Sequence, residues 1–238
     1  YSLSSTMLEV TWMFVDDVLF IAFPYVAVVL LVVVSLYRYY TDRFSYSSFS
    51  SQFLEGKALF WGSVPWHYGI LIILLAHVVA LLWPSGWSDL IADPTRLLVL
   101  EMIGLSLALA ALLGLTLLLL RRLRSARIMA VTSTMDWVLL IVLLTQVALG
   151  FWVALFYRWG SDWYMFTAVP WLTSLATFSP ETTYVTSLPW VVKLHMLSGF
   201  VIAAIFPFTR LVHIVTVPIT YLWRPYQVVI WNRRSGGG

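Results

Sequence analysis

Five stretches of this chain are almost uninterrupted runs of apolar side chains, and the segments between them collect most of the charges. They cover residues 18–37, 66–83, 97–120, 137–157 and 189–221. The first four are about 20 residues long, which at about 1.5 Å per helical residue spans a hydrocarbon core of about 30 Å. The fifth is longer, so it is expected to tilt or to run past the membrane surface, stopping near Pro218. Pro207 lies inside it and should kink it by removing one backbone hydrogen bond. The pattern predicts an all-α integral membrane protein, a five-helix bundle. Residues 1–17 are mixed in polarity and read as an N-terminal interfacial segment or the beginning of the first span.

Composition sharpens this picture. The 238 residues are 61% hydrophobic and 11% charged, with a mean hydropathy of +0.89, where a soluble domain carries about 25% charged residues. Many of the 13 Trp and 12 Tyr fall near segment ends, as interfacial belts require. Cysteine is absent, which excludes disulfides, cysteine-ligated iron–sulfur clusters and covalently attached c-type haem. Residues 1–17 contain no Lys or Arg, so no cleavable signal peptide is expected, and residues 235–238 read as a linker remnant. The lipid bilayer is the environment implied, and no nucleic-acid partner is expected.

The net charge of +3 matters less than its placement. Arg38, Arg43 and Lys57 separate the first two runs, Arg121, Arg122, Arg124 and Arg127 the third and fourth, and Arg224, Arg233 and Arg234 follow the fifth. The opposite side has only Arg96 and Arg158, with Lys193 just inside the last run. The positive-inside rule then puts the N-terminus outside and the C-terminus in the cytoplasm.

All four histidines lie in two of the runs, His67 and His77 in the second, His195 and His213 in the fifth. An ionisable side chain inside a membrane helix is costly and marks a functional site by default. His195 and His213 are 18 residues apart, five whole turns, so a continuous helix would present both on one face roughly 27 Å apart. The charge-derived topology leaves two level-matched pairs: His67 with His213 near the cytoplasm, and His77 with His195 near the outside. Paired neutral imidazoles from facing helices are the axial ligands of low-spin haem iron, so the expectation is a dihaem cytochrome b. One mismatch accompanies it: His67 and His77 are separated by 10 residues, roughly 15 Å. Gly199 follows His195 by one turn and suits either a flat ring or a close helix contact. Arg210, three residues before His213, is positioned to pair with a haem propionate or to snorkel to the surface, and Arg38 and Arg122 are further candidates for the same role. The outer connection, residues 158–188, is too polar to span and is expected to form a short amphipathic helix over the outer site.

The chain resembles the cytochrome b (gamma) subunits of membrane-bound respiratory nitrate reductases over residues 23–226. The motifs that carry the resemblance are SSQFLEGK at 50–57, HYGILIILLAH at 67–77, RRLRSAR at 121–127 followed by TSTMD, QVALG at 146–150, KLHMLSG at 193–199 and PFTRLVHIVTVPITYL at 207–222. The resemblance implies two b haems, a proximal one on His67 and His213 and a distal one on His77 and His195. It also implies a quinol site beside the distal haem, and electron delivery to an iron–sulfur beta subunit and a molybdenum alpha subunit that reduces nitrate. Arg96 stands where the family usually has Lys in quinol binding; this change keeps the charge and alters the hydrogen-bond geometry.

The expected organisation is thus a dihaem transmembrane domain at residues 18–223, a cytoplasmic tail at 224–234 fit to meet soluble partners, and a multi-pass location in the cell's inner (cytoplasmic) membrane. Two alternatives stand beside it. One is the same fold serving another respiratory complex, such as a sulfur-cycle or heterodisulfide-type reductase or a nitrite oxidase. The other is a non-redox membrane scaffold or transporter whose histidines bind protons or a metal.

Overall fold

The computed structural model describes residues 14–42, 57–158 and 163–216; the SSQFLEGK motif apart from Lys57, most of the N-terminal segment and the tail lie outside these residues. Every regular element among the described residues is helical. Among the described residues five helices are long and apolar enough to cross a membrane: α1 (Phe14–Thr41), α2 (Lys57–Leu82), α4 (Pro94–Arg124), α6 (Thr134–Phe156) and α9 (Trp190–Ile205), the last continuing as one 3₁₀ turn to Phe208. Short helices occupy the connections: α3 (Pro84–Ile91), α5 (Ala126–Ala130), α7 (Ala168–Ala176) and α8 (Thr183–Thr186). The chain is an integral membrane five-helix bundle.

The spans begin where the sequence supplies caps. The Asp93 carboxylate accepts from the backbone N–H groups of Thr95 and Arg96, and Pro94 fills the first helical position of α4, where a missing N–H costs nothing. Ser133 and Asp136 form a reciprocal capping box at the start of α6. Helix α1 is interrupted by two wide π turns at Val18–Ala22 and Leu30–Val34, which shift the face it presents to its neighbours.

The spans pack in the order α2, α4, α6, α9, α1. The tightest approach is between α2 and α4. A β-carbon on Gly114 would lie 2.6 Å from the Gly62 carbonyl oxygen and 2.7 Å from the Trp66 backbone nitrogen, so the two backbones touch. Small residues serve membrane helices in this way because lipid gives apolar side chains no reason to cluster. Trp66, Ala111, Leu115, Leu140 and Val147 form the buried core between α2, α4 and α6. On the outward faces Val29, Val33, Leu71, Leu75, Leu98 and Ile141 are exposed, a surface suited to acyl chains. The N-terminal half of α1 joins the rest through Phe20, buried against Trp171 of α7, whose indole N–H donates to the Phe20 carbonyl at 3.0 Å.

Candidate functional site

The last span carries two of the four histidines, and it does not run through as one helix. Helix α9 stops at Ile205, Phe206–Phe208 form a 3₁₀ turn, and Thr209 is extended with φ −119° and ψ 175°. A second 3₁₀ turn, Arg210–Val212, leads into the short α10 (His213–Thr216). The expected kink at Pro207 is therefore a break. Pro207 has no N–H for the ladder, and its ring clashes with the carbonyl one turn back. Thr209 uses its backbone N–H and its hydroxyl to bond the Phe206 carbonyl, at 3.1 and 3.0 Å, and the Arg38 guanidinium of α1 donates to the Pro207 carbonyl. The rise of a continuous helix therefore does not apply between His195 and His213.

The break brings His213 to His67. Their ring centres are 6.2 Å apart, with planes inclined by 69°. The Nδ1 of His67 lies 2.7 Å from the Ser63 carbonyl oxygen and 3.0 Å from the Ser63 hydroxyl, and the Nδ1 of His213 lies 2.6 Å from the Arg210 carbonyl oxygen. The outer pair follows the same scheme. His77 Nδ1 is 2.8 Å from the Ile73 carbonyl oxygen, and His195 Nδ1 is 3.2 Å from that of Gln146 on α6. A carbonyl oxygen only accepts, so each of these contacts calls for the proton on Nδ1, the tautomer that leaves Nε2 as the basic nitrogen. This is the second layer of contacts that commonly orients metal-ligating histidines.

His77 and His195 both line a cavity of about 310 Å³ between α2, α4, α6, α7 and α9. Its walls are mainly apolar, with Ile73, Leu74, Leu172, Met196 and Phe200 among them. Gly199 also lines it, and a β-carbon there would meet only the Gln146 side chain at 3.8 Å, so this glycine opens space for an occupant rather than making a tight helix contact. The connection at 158–188 forms a helix, α7, and lines one end of the cavity with Trp163, Tyr164, Ala168, Trp171 and Leu172. Tyr164 packs edge-on against His77, ring centres 5.7 Å apart, and its hydroxyl donates to the His77 carbonyl at 3.4 Å. Burial pushes the Tyr164 phenol above its ordinary pKa.

The inner pair has the ring spacing, and the outer pair the apolar cavity, that suit a flat metal-bearing ring held from both sides. A divalent metal binds imidazole nitrogen at about 2.0–2.1 Å, so opposed ligands hold their nitrogens about 4 Å apart, a spacing open to rings centred 6.2 Å apart. Among the described residues no third His, Cys, Asp or Glu joins either pair.

The arginines singled out from the sequence are placed as follows. Arg210 forms a two-pronged ion pair with Asp136, Nε to Oδ1 at 2.5 Å and Nη2 to Oδ2 at 2.9 Å. Arg122 donates to the Asp136 carbonyl at 3.2 Å. Arg38 reaches the helix break. Arg96 is exposed at the start of α4, donates to the Asp89 carbonyl at 3.1 Å, and is not among the residues lining the cavity. Three contributors escaped sequence reasoning as site residues: Gln146 through its carbonyl, Gly150 beneath His195, and Tyr164. The QVALG motif and the aromatic outer connection were the signals that held them.

Fold and site together define a class: multi-span helical membrane proteins that bring part-buried imidazoles into pairs at two levels of the bundle. Residues 16–232 match the family described as nitrate reductase gamma subunit, and the chain belongs to that family. A nitrate reductase gamma chain of Bacillus subtilis is 33% identical over 216 residues, covering 89% of this chain and 96% of the relative. The respiratory nitrate reductase 1 gamma chain of Escherichia coli is 31% identical over 224 residues, with 91% and 97% covered. A nitrate reductase-like protein NarX of Mycobacterium tuberculosis is 30% identical over 220 residues, covering 89% of this chain and 33% of the relative. The protein is thus a multi-pass membrane subunit of an oxidoreductase.

Proposed function

We propose that this chain is the quinol-oxidising cytochrome b subunit of a respiratory nitrate reductase. The observation that carries the reading is a contact shared by the four histidines: in each, Nδ1 lies within hydrogen-bond reach of a backbone carbonyl, which leaves Nε2 as the nitrogen for a metal. His67 and His213 would hold an inner haem b, and His77 and His195 an outer one. Bound there, the haems would supply a one-electron relay from quinol to an iron–sulfur beta subunit and a molybdenum alpha subunit that reduces nitrate. The carbonyls of Ser63, Ile73, Gln146 and Arg210 fix the rings, and the apolar cavity walls keep water from the outer pair. Arg38, Arg122 and Arg210 are the basic groups available to propionates near the inner pair, with Arg210 already oriented by Asp136.

Quinol carries two protons as well as two electrons, so its site needs a route for protons to the outer surface. The role of Arg96 in this reading is to hydrogen-bond a quinone oxygen, which its guanidinium donors suit. Asp89 and Asp93 lie beside it, and Glu101 is paired with Arg158 at 3.2 Å. The basic connections and the tail at 224–234 face the cytoplasm and meet the soluble subunits, with the N-terminus outside and the chain in the inner (cytoplasmic) membrane. Deleting residues 226–234 is expected to release those subunits from the membrane.

A reduced-minus-oxidised optical spectrum of the purified chain tests the proposal. The expected result is a b-type signal with two haems per chain. A chain that binds no haem overturns the reading.

A further inference from the structure

The inner histidine His213 hangs on a piece of chain that α9 no longer supports. Between the break and His213 there is one 3₁₀ turn, Arg210–Val212. Its side-chain anchor to a neighbouring span is the ion pair of Arg210 with Asp136 on α6, a two-pronged pairing of planar groups that fixes direction as well as distance. The Asp136 side chain is 4% exposed and that of Arg210 32%. Asp136 is itself fixed: its Oδ2 accepts from the Ser133 backbone N–H at 3.0 Å, its own N–H donates to the Ser133 hydroxyl at 3.2 Å, and Arg122 donates to its carbonyl. At the other end of the same residue, the Arg210 carbonyl takes the Nδ1 proton of His213 at 2.6 Å.

These contacts form one line from the start of α6 to the imidazole. We propose that Asp136 is a positioning residue for the inner histidine pair: by clamping the Arg210 side chain, it sets where the Arg210 carbonyl stands and hence how His213 faces His67. The clamp does for the inner ligand what an unbroken helix does for His195. The inference rests on the haem-binding reading above, and its effect is confined to the inner site.

The test compares wild type with Asp136→Asn, Asp136→Glu, Arg210→Met and Ser133→Ala in the membrane-assembled complex, by redox-titrated optical spectra and low-spin haem paramagnetic resonance. Asp136→Asn keeps an oxygen for the helix cap but removes the negative charge that faces Arg210, whereas Ser133→Ala weakens the cap and leaves the ion pair. Asp136→Asn and Arg210→Met are expected to shift the midpoint potential and resonance of the inner haem while the outer signals stay at wild-type values. Asp136→Glu should restore part of the shift. Ser133→Ala should lower thermal stability in detergent with both haem signals unchanged. Inner signals unaltered in both Asp136→Asn and Arg210→Met overturn the inference, as does a Ser133→Ala variant that reproduces their shift, or loss of both haems in equal proportion. A wild-type chain without haem overturns the functional reading itself and the inference with it.

Discussion

Gly150 of α6 lies directly against the ring of His195: a β-carbon added to it would stand 2.8 Å from Cε1. One turn earlier on the same helix, the Gln146 carbonyl holds the Nδ1 of that ring. Helix α6 therefore both orients the outer imidazole and leaves room for it. Gly150→Ala should push the ring off its carbonyl, with an overpacking cost of about 1–3 kcal/mol. The expected outcome is loss of most of the outer haem signal with the inner one retained, read from optical spectra and haem content per chain. Two full haems in this variant would mean that the ring has another place to go.

The contact between α2 and α4 is set by backbone, so it cannot relax around a new side chain. Gly114→Val would drive its side chain into the Gly62 carbonyl and the Trp66 backbone nitrogen. The spans should separate there, at a cost of about 1–3 kcal/mol or more. A lower unfolding temperature in detergent and reduced membrane yield are the expected readouts. Gly199→Ala, whose β-carbon would meet one side-chain atom at 3.8 Å, should leave the unfolding temperature of the haem-free chain close to wild type.

Tyr164 gives the outer lid a defined response to alkali. Its neutral form is favoured by burial, so its folded-state pKa lies above the ordinary value of about 10. In the unfolded chain the phenol ionises first. Stability from this group is thus full below about pH 10 and declines as pH rises past that value. Tyr164→Phe should flatten that part of the alkaline stability curve, measured by thermal unfolding between neutral and alkaline pH. At neutral pH the same variant should cost less than about 1 kcal/mol, because the hydroxyl makes one long neutral hydrogen bond.

Arg96 offers a test of quinol entry. Arg96→Ala should keep both haem signals while slowing their reduction by quinol about 10–100-fold, the loss of one charge-assisted hydrogen bond. Nitrate reduction from an artificial donor that feeds the soluble subunits should be unchanged. Normal quinol kinetics would remove Arg96 from that role.

The number and placement of the spans were legible because each run of apolar residues is about a bilayer long. Their ends were less so. Helix α4 continues through Arg121, Arg122 and Arg124: Arg121 is buried and Arg122 donates to the Asp136 carbonyl, so basic side chains that mark a membrane boundary in the sequence are here part of the bundle. Helix α2 starts at Lys57, well before Trp66, because Pro65 is accommodated inside it. The pairing of His67 with His213 followed from topology alone, whereas the partner of Arg210 did not: Asp136 is 74 residues away, on a helix that no local pattern links to it. Proline announced a disturbance at Pro207 but not its extent, which depends on groups from α1 and α6 that hold the loosened chain.

That break has an evolutionary corollary. On a continuous helix, inserting or deleting one residue between two ligands turns one against the other by about 100°. Here an extended residue, Thr209, separates the long helix α9 from the short turn that leads to His213, and each side is referenced to a different neighbour: His195 to Gln146, His213 through Arg210 to Asp136. The two levels of the bundle are therefore modular. Selection can retune one by substitutions on its own side of the break while the other keeps its inherited geometry.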